Sequence, residues 1–152
     1  VRTQVMALLG AQAYHADGTV DRAFIAKQVF QDEQQLAKLN GILHPAVKNE
    51  FIKWVDQNRS HPILFKEAAI LFESGANQQV EKVLAVVAPR ELRIRRIQQR
   101  DNRSVVEIEK IMDNQMDQDE LIERSDFIIH NDDQTPVMPA LIHILRQLGQ
   151  HI

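Results

Sequence analysis

"VEKVLAVVAPRELRIRRIQQRD", residues 80–101, joins an apolar run directly to a charged stretch with helical spacing. Residues 80–88 form a near-continuous Val/Leu run, which is typical of strands buried on both faces of a sheet. Pro89 ends this run, and the charged residues after it predict a helix. A strand followed at once by a helix is the repeating unit of α/β domains with parallel sheets.

Two further strands are predicted, "ILF" at 63–65 and "FIIHN" at 127–131. The helices predicted after residue 88 lie at 90–101, 104–117, 118–125 and 136–149. Ser104 and Glu107 have the spacing of a capping box, which marks the start of the second of them. Strands that alternate with helices predict a parallel sheet with helices on both faces.

Residues 1–60 carry only helical patterns. Val1, Val5, Leu8 and Leu9 share a face, and Gly10 ends that helix. A turn at 17–18 precedes the next helix, which is predicted from an Asp21 N-cap to about Phe30 with Phe24, Ile25 and Val29 inward. Asp32 is predicted to cap the helix after it.

"GILHPAVKNEF", residues 41–51, places a His-Pro pair inside this helical region. Proline suits the first turn of a helix, where its missing N–H would have no partner. Pro45 is therefore predicted to open a third helix that runs to about Arg59. His44 would then lie exposed at a corner between two helices, as a capping residue or as part of a ligand site.

The composition is that of one globular domain, with 26% charged and 44% hydrophobic residues among 152. A formal net charge of −3 argues against a nucleic-acid binder. The chain has no cysteine, which excludes disulfides and thiolate metal sites and favours the cytoplasm. No apolar run approaches the ~20 residues of a membrane span, so no membrane partner is expected.

The first residue lies in the middle of an amphipathic pattern, so we expect a segment before Val1 to be missing. The five glycines never give the GxxxxGK[ST] phosphate loop. The six histidines show no HxxxH or HExxH spacing, which argues against a histidine metal site.

An arginine cluster is the most unusual feature of the sequence. Its members are Arg90, Arg93, Arg95, Arg96, Arg100 and Arg103. Arg93, Arg96 and Arg100 would form one stripe on a helix, and several guanidinium groups together suit a polyphosphate. The alternative is a solvated face whose arginines pair with Glu91, Asp101 or Glu107.

Two acids follow the predicted strand at 63–65. Glu67 lies where ligands of α/β sheets gather and could orient a hydrated magnesium ion, or it could cap a following helix. Glu73 lies shortly after it.

Five segments in order resemble the dephospho-coenzyme A kinase family over nearly the whole chain. They are "ADGTVDRAFIAKQVF", "LNGILHPAVKNEF", "KEAAILFESG", "ELRIRRIQQRDNRSVVEIEKIMDNQM" and "SDFIIHND". The family usually has proline where Ala69 stands. It also begins with a βαβ piece of ~30 residues that carries the phosphate loop and an aspartate base. That piece is absent from this sequence, so we expect the 152 residues alone to be inactive.

The resemblance implies a P-loop kinase core with an inserted helical acceptor domain and a helical lid. The expected regions are 1–20 leading from the core, 21–60 for the acceptor, 61–98 core, 99–125 lid and 126–152 core. It also implies transfer of a phosphoryl group from ATP to the ribose 3′-hydroxyl of dephospho-coenzyme A, the last step of coenzyme A biosynthesis. ATP and Mg²⁺ are the expected cofactors, and the protein is expected to be a monomer or a weak homo-oligomer.

The resemblance also implies roles for single residues. Arg100 would clamp the transferring group with Arg96 in support, and Glu67 would orient magnesium through water. Asn131 and Arg103 would contact ATP. The residues expected at the acceptor are His44, Lys48 and Glu73. Two alternatives stay open: another P-loop nucleotide kinase, or a binding protein that lost its phosphate loop.

Overall fold

A computed structural model describes residues 1–29 and 32–149 of the chain. The chain forms two compact units, residues 1–64 and residues 65–152. The first contains α1 (Arg2–Leu9), α2 (Arg22–Val29) and α3 (Glu33–Gln57). The second contains β1 (Leu84–Val87), α4 (Arg90–Asp101), α5 (Val105–Met112), α6 (Gln118–Arg124), β2 (Phe127–His130) and α7 (Val137–Gln147). Short 3₁₀ turns lie at Ala11–Ala13 and Ala76–Gln79.

The core of the first unit is built from all three of its helices. Val5, Ala13 and Leu39 are buried together. The half-buried side chains packed against them are Leu8, Leu9, Tyr14, Phe24, Ile25, Val29, Ile42 and Leu43. The inward faces predicted for the first two helices are thereby confirmed, except that Val1 is exposed.

The predicted corner at Pro45 is wrong, because α3 runs unbroken from Glu33 to Gln57 with the proline inside it. Pro45 removes one backbone hydrogen bond, a cost of ~3 kcal/mol in a helix interior. Leu39, Ile42 and Leu43, in the turn before the proline, pack in the core of the first unit. This anchored turn and the helix that continues for twelve residues after the proline outweigh the loss of one hydrogen bond, so the helix does not end there.

The predicted capping residues are confirmed. Asp32 accepts hydrogen bonds from the backbone N–H groups of Gln34 and Gln35, both at 3.0 Å. Asp21 accepts one from Phe24 at 2.8 Å. The Ser104–Glu107 capping box is present at the start of α5. The predicted end of α2 at Phe30 lies outside the described residues, whose last helical position there is Val29.

The described sheet has two parallel strands, with Leu84 beside Phe127 and Val87 beside His130. The strand predicted at 127–131 is confirmed over Phe127–His130, and that at 80–88 is shorter, Leu84–Val87. Ala85 and Val87 are buried on one face of β1, whereas Val86 is 59% exposed on the other. Burial on both faces is therefore a wrong prediction for β1 among the described residues.

The strand predicted at 63–65 is also wrong, since these residues have no regular structure and Phe65 is 64% exposed. A strand exists only where its backbone groups pair with a neighbour, and no described strand lies beside this segment. Helix α5 ends at Met112 instead of near Asp117, because Asp117 caps α6 by accepting from the N–H of Asp119.

A helix packs against each of the two strands of the second unit. α6 packs against β1, and α7 packs against β2. α4 and α5 lie together, joined by an ion pair of 2.9 Å between Arg90 and Glu109. Ile108 of α5 and Ile144 of α7 are buried. No helix among residues 1–29 and 32–149 is both long and apolar enough to span a membrane.

Candidate functional site

The arginine helix α4 meets the loop that follows β2, at the carboxyl end of that strand. Arg96 donates hydrogen bonds to the backbone oxygen of Asn131 at 3.0 Å and to its side-chain Oδ1 at 3.2 Å. Arg96 also pairs with Asp133 at 2.5 Å, and Arg95 reaches the other carboxylate oxygen of Asp133 at 3.4 Å. Two residues predicted as separate site groups, Arg96 and Asn131, are thus in direct contact.

Arg100 pairs with its chain neighbour Asp101 in a two-pronged contact. Its Nε and Nη2 donate to the two carboxylate oxygens at 2.7 and 2.8 Å. This hydrogen bonding raises the pKa of Arg100 and lowers the pKa of Asp101. Because both side chains lie at the surface, solvent screens the pair and it contributes little to stability.

The predicted pairing of the arginines with local acids is confirmed in part. Asp101 pairs with Arg100, whereas Glu107 is engaged in the capping box with Ser104. The pKa of Glu107 is lowered chiefly by its hydrogen bonds to Ser104 and to a smaller extent by the charge of Arg103. Arg103 is exposed and is in no described ion pair.

The loop after β2 is closed by Asp132. Its carboxylate accepts from the backbone N–H groups of Gln134 at 3.0 Å and Thr135 at 2.7 Å, and from the Thr135 hydroxyl at 3.0 Å. These donors lower the pKa of Asp132 to about 2. Asp133 has a φ of 66°, a left-handed conformation that aspartate tolerates better than most residues.

Protonation of Asp132 is expected to open this loop. Its folded pKa lies below the ordinary value of ~3.9, so its stabilising contribution is complete above that value and is lost as pH falls toward about 2. The amide protons of Gln134 and Thr135, followed by NMR, should shift with a midpoint near about 2. The matched variant Asp132→Asn should abolish this transition. A midpoint at the ordinary aspartate value would contradict the assignment.

Glu73 is held by a different part of the second unit. Its Oε1 accepts a hydrogen bond of 2.7 Å from the backbone N–H of Met116, in the loop between α5 and α6. The neighbouring ring of Phe72 lies under the guanidinium group of Arg124, 5.7 Å from ring centroid to Cζ. Residues 72 and 73 therefore contact α6 at its last residue and the loop just before its first. Of the two carboxylate oxygens of Glu73, Oε2 has no described hydrogen bond.

Glu67 is exposed, without a described hydrogen bond or ion pair. Turn structure, and no α-helix, follows it up to the 3₁₀ turn at Ala76–Gln79, so the alternative of a helix cap is wrong. No group of three or more His, Asp or Glu side chains within residues 1–29 and 32–149 is arranged to hold a metal ion. Magnesium is commonly held by one or two carboxylates together with several waters.

His44 and Lys48 lie on α3, in the first unit, and both are exposed. Their spacing of four residues places them on the same side of the helix, one turn apart. Pro45 has no N–H, so the carbonyl of Gly41 lacks its usual donor four residues on. A helix starting at Pro45 would have placed free backbone N–H groups beside His44. Since α3 starts at Glu33, those N–H groups lie there instead.

The family model described as Dephospho-CoA kinase matches residues 2–136. This chain belongs to the dephospho-CoA kinase family. A dephospho-CoA kinase of Bacteroides fragilis is 33% identical over 152 residues, which are 100% of this chain and 74% of that protein. One of Salinibacter ruber is 39% identical over 134 residues, covering 87% of this chain and 67% of that protein.

Solved structures agree with this family at the level of the fold. A crystal structure of a Thermus thermophilus protein has a TM-score of 0.77 at 27% identity, covering 97% of this chain and 74% of that one. The dephospho-CoA kinase of Campylobacter jejuni has a TM-score of 0.62 at 23% identity, covering 95% and 72%. The predicted α/β class with a parallel sheet is confirmed. The function predicted from the sequence, that of a phosphotransferase of coenzyme A biosynthesis, is confirmed for the family to which the chain belongs.

One residue of this region was missed by the sequence analysis. Asp133 joins Arg95 and Arg96 to the loop after β2, although 37 residues separate it from Arg96. The run of two acids directly after the strand "FIIHN" was a usable signal, since the carboxyl ends of parallel strands collect polar groups.

Proposed function

We propose that this protein transfers the γ-phosphoryl group of ATP to the ribose 3′-hydroxyl of dephospho-coenzyme A. The observation that carries the proposal is the family match over residues 2–136. The geometry supports it, because an arginine helix meets a polar loop at the carboxyl end of a parallel strand. Phosphoryl transfer depends mainly on positioning and on neutralising charge, which such arginines can supply.

Arg100 is the proposed clamp of the transferring phosphoryl group. Its contact with Asp101 uses Nε and Nη2, so Nη1 still offers two N–H donors to a phosphate. Arg96 would support this clamp, and Arg103, free of a described ion pair, would contact the phosphates of ATP. Asn131, at the end of β2, would lie at the adenine.

Magnesium is the proposed metal, held by Glu67 through water, since a carboxylate with no described protein partner is available to a hydrated ion. Bound magnesium would neutralise phosphate charge during the transfer. For the acceptor we propose His44, Lys48 and Oε2 of Glu73. We further propose that residues 21–60 form the region that binds the acceptor and that residues 99–125 form the lid. The protein is proposed to be a monomer or a weak homo-oligomer in the cytoplasm, which supplies ATP.

Lys48→Ala and His44→Ala should each raise the KM for dephospho-coenzyme A ~5- to 10-fold, the effect of losing one charge-assisted hydrogen bond. The KM for ATP should stay unchanged. Lys53→Ala is the matched control, because Lys53 lies on the same helix but already pairs with Glu50 at 2.7 Å. Steady-state kinetics with each substrate varied in turn, together with melting temperatures, make the comparison. A lower melting temperature with both KM values intact would leave His44 a structural residue.

A coupled assay of ADP release tests the proposed function itself. The protein, produced as its gene encodes it, is given ATP, magnesium and either dephospho-coenzyme A or a panel of nucleosides and nucleoside monophosphates. Release that depends on dephospho-coenzyme A is the expected result. Preference for another acceptor would indicate a different nucleotide kinase, and no acceptor-dependent release would indicate a binding protein; either result overturns the proposal.

A further inference from the structure

Arg93, in the first half of α4, belongs to the arginine cluster but has no role in the proposed function. The other arginines of α4 are each in a described ion pair; they are Arg90, Arg95, Arg96 and Arg100. The side chain of Arg93 is half-buried, and its Nε is shielded from solvent without a hydrogen-bond partner among the described residues. Arg93 therefore differs from every other arginine of its helix.

A shielded N–H group without an acceptor is unfavourable, because the donor has lost its hydrogen bonds to water and has gained none in return. Such groups are rare in folded proteins, and one explanation is a ligand or ion that completes them. Arginine is always charged and carries only donors, so the partner that Arg93 lacks is an acceptor, preferably an anion. The unpaired Nε thus indicates an anion that binds beside Arg93.

The acids around α4 do not supply this anion. Glu91 lies two residues before Arg93, and residues at that spacing do not face each other on a helix. The acids of α5 and of the loop after β2, the two segments that α4 contacts, already have other partners. They are Glu107, Glu109, Asp132 and Asp133. The charge of Arg93 is therefore left without a counter-charge from these residues.

The position of Arg93 favours a polyphosphate as the anion. β1 ends at Val87 and α4 begins at Arg90, and the backbone N–H of Arg93 donates to the carbonyl of Pro89 at 3.0 Å. Arg93 thus lies within about one helical turn of the carboxyl end of a parallel strand, where ligands of α/β sheets bind. Arg100 lies on the same face of the helix, about 10 Å further along its axis. Guanidinium groups spaced along one face match an extended anion with several phosphate groups.

We propose that Arg93 binds the polyphosphate of a nucleotide substrate, on the same helix face as Arg100. A phosphate oxygen would accept the hydrogen bond that Nε lacks and would balance a charge that the acids around α4 leave unpaired. Two substrates of the proposed function carry such a group, a triphosphate in ATP and a pyrophosphate in dephospho-coenzyme A. The inference rests on the proposed function only for the identity of the nucleotide.

Calorimetric binding of inorganic tripolyphosphate to the protein as its gene encodes it tests this site without a base or an acceptor. Arg93→Met should weaken the binding ~10-fold, the size expected for a lost charge-assisted hydrogen bond. Arg90→Met is the matched control, because it removes the same charge from the same helix, but from an arginine that already pairs with Glu109 at 2.9 Å. The control should bind tripolyphosphate like wild type. Equal affinities of the two variants would overturn the proposal.

Melting temperatures of the ligand-free proteins separate this role from a structural one. Arg93→Met removes an unpaired, shielded N–H group and should leave the melting temperature unchanged or raise it. Tripolyphosphate should then stabilise wild type more than Arg93→Met, because a ligand that binds more tightly stabilises more. A lower melting temperature with unchanged affinity would mean that Arg93 pairs with an acid of the protein, which would overturn the proposal. If Arg93→Met does not fold, Arg93→Gln decides, and wild-type affinity in that variant would overturn the proposal as well.

Affinities for ATP and for dephospho-coenzyme A in the same variants identify the nucleotide. A loss confined to ATP would assign Arg93 to the triphosphate, and a loss confined to dephospho-coenzyme A would assign it to the pyrophosphate. Wild-type affinity of Arg93→Met for both would overturn the role in substrate binding. Turnover is recorded separately: protein that binds tripolyphosphate through Arg93 but does not phosphorylate dephospho-coenzyme A would refute the proposed function and leave the anion site in place.

Discussion

Arg100→Ala is expected to lower kcat by ~10²- to 10³-fold, the range measured when one donor to a developing charge is removed. The KM for dephospho-coenzyme A should change by less than about two-fold, because a contact realised mainly in the transition state acts on kcat. Steady-state assays on the protein as its gene encodes it would provide both constants.

The contact of Arg100 with Asp101 supports the role proposed for it. Asp101 holds its guanidinium group by two hydrogen bonds and so limits its orientations before substrate arrives. Nη1 takes no part in that pair and so remains a donor for a phosphoryl group. A preorganised donor of this kind stabilises charge without first having to reorganise.

Two variants make the test of Arg100 specific. Arg95→Ala removes another exposed arginine of α4, whose contact is with Asp133, and should leave kcat nearly unchanged. Asp101→Asn keeps Arg100 but weakens the pair that orients it, and should lower kcat by a smaller factor than Arg100→Ala. An unchanged kcat in Arg100→Ala would contradict the catalytic role and favour the alternative that Arg100 belongs to a solvated helix face.

Signals that act within a few residues are reliable in this sequence. The capping oxygens of Asp32 and Ser104 bond to N–H groups two or three residues on, and the structure confirms both predicted helix starts. The strand "FIIHN" is recognisable because its apolar residues fill a short run bounded by polar ones. The order of such segments is enough for the fold class.

Features that depend on distant partners could not be predicted from the sequence. The hydrogen bonds of Arg96 to Asn131 span 35 residues, and that of Glu73 to Met116 spans 43. No local pattern indicates which of six nearby arginines will reach a given loop. The prediction at Pro45 is wrong for a related reason, because its local preference for a helix start is outweighed by the rest of α3, which is anchored in the core by Leu39, Ile42 and Leu43.

Ile108→Ala is expected to lower the free energy of unfolding of the second unit by ~2–5 kcal/mol, the range for truncating a buried isoleucine. Ile108 is only 1% exposed and is the largest fully buried side chain among the described residues of that unit. The loss combines removed apolar burial with the cavity left behind. Because α4 and α5 pack together, we expect a loosened α5 to affect the arginine helix as well.

Val106→Ala is the matched control, since Val106 lies on the same helix but is 75% exposed. It should change stability by less than ~0.5 kcal/mol, as surface substitutions usually do. The one tryptophan, Trp54, belongs to the first unit, so its fluorescence does not report on α5 directly. Urea unfolding followed by circular dichroism, with hydrogen exchange of residues 105–112, measures the relevant unit instead. Equal stability of the two variants would mean that Ile108 does not anchor α5. The position of Arg96 and Arg100 would then depend on α4 and its contacts with the loop after β2.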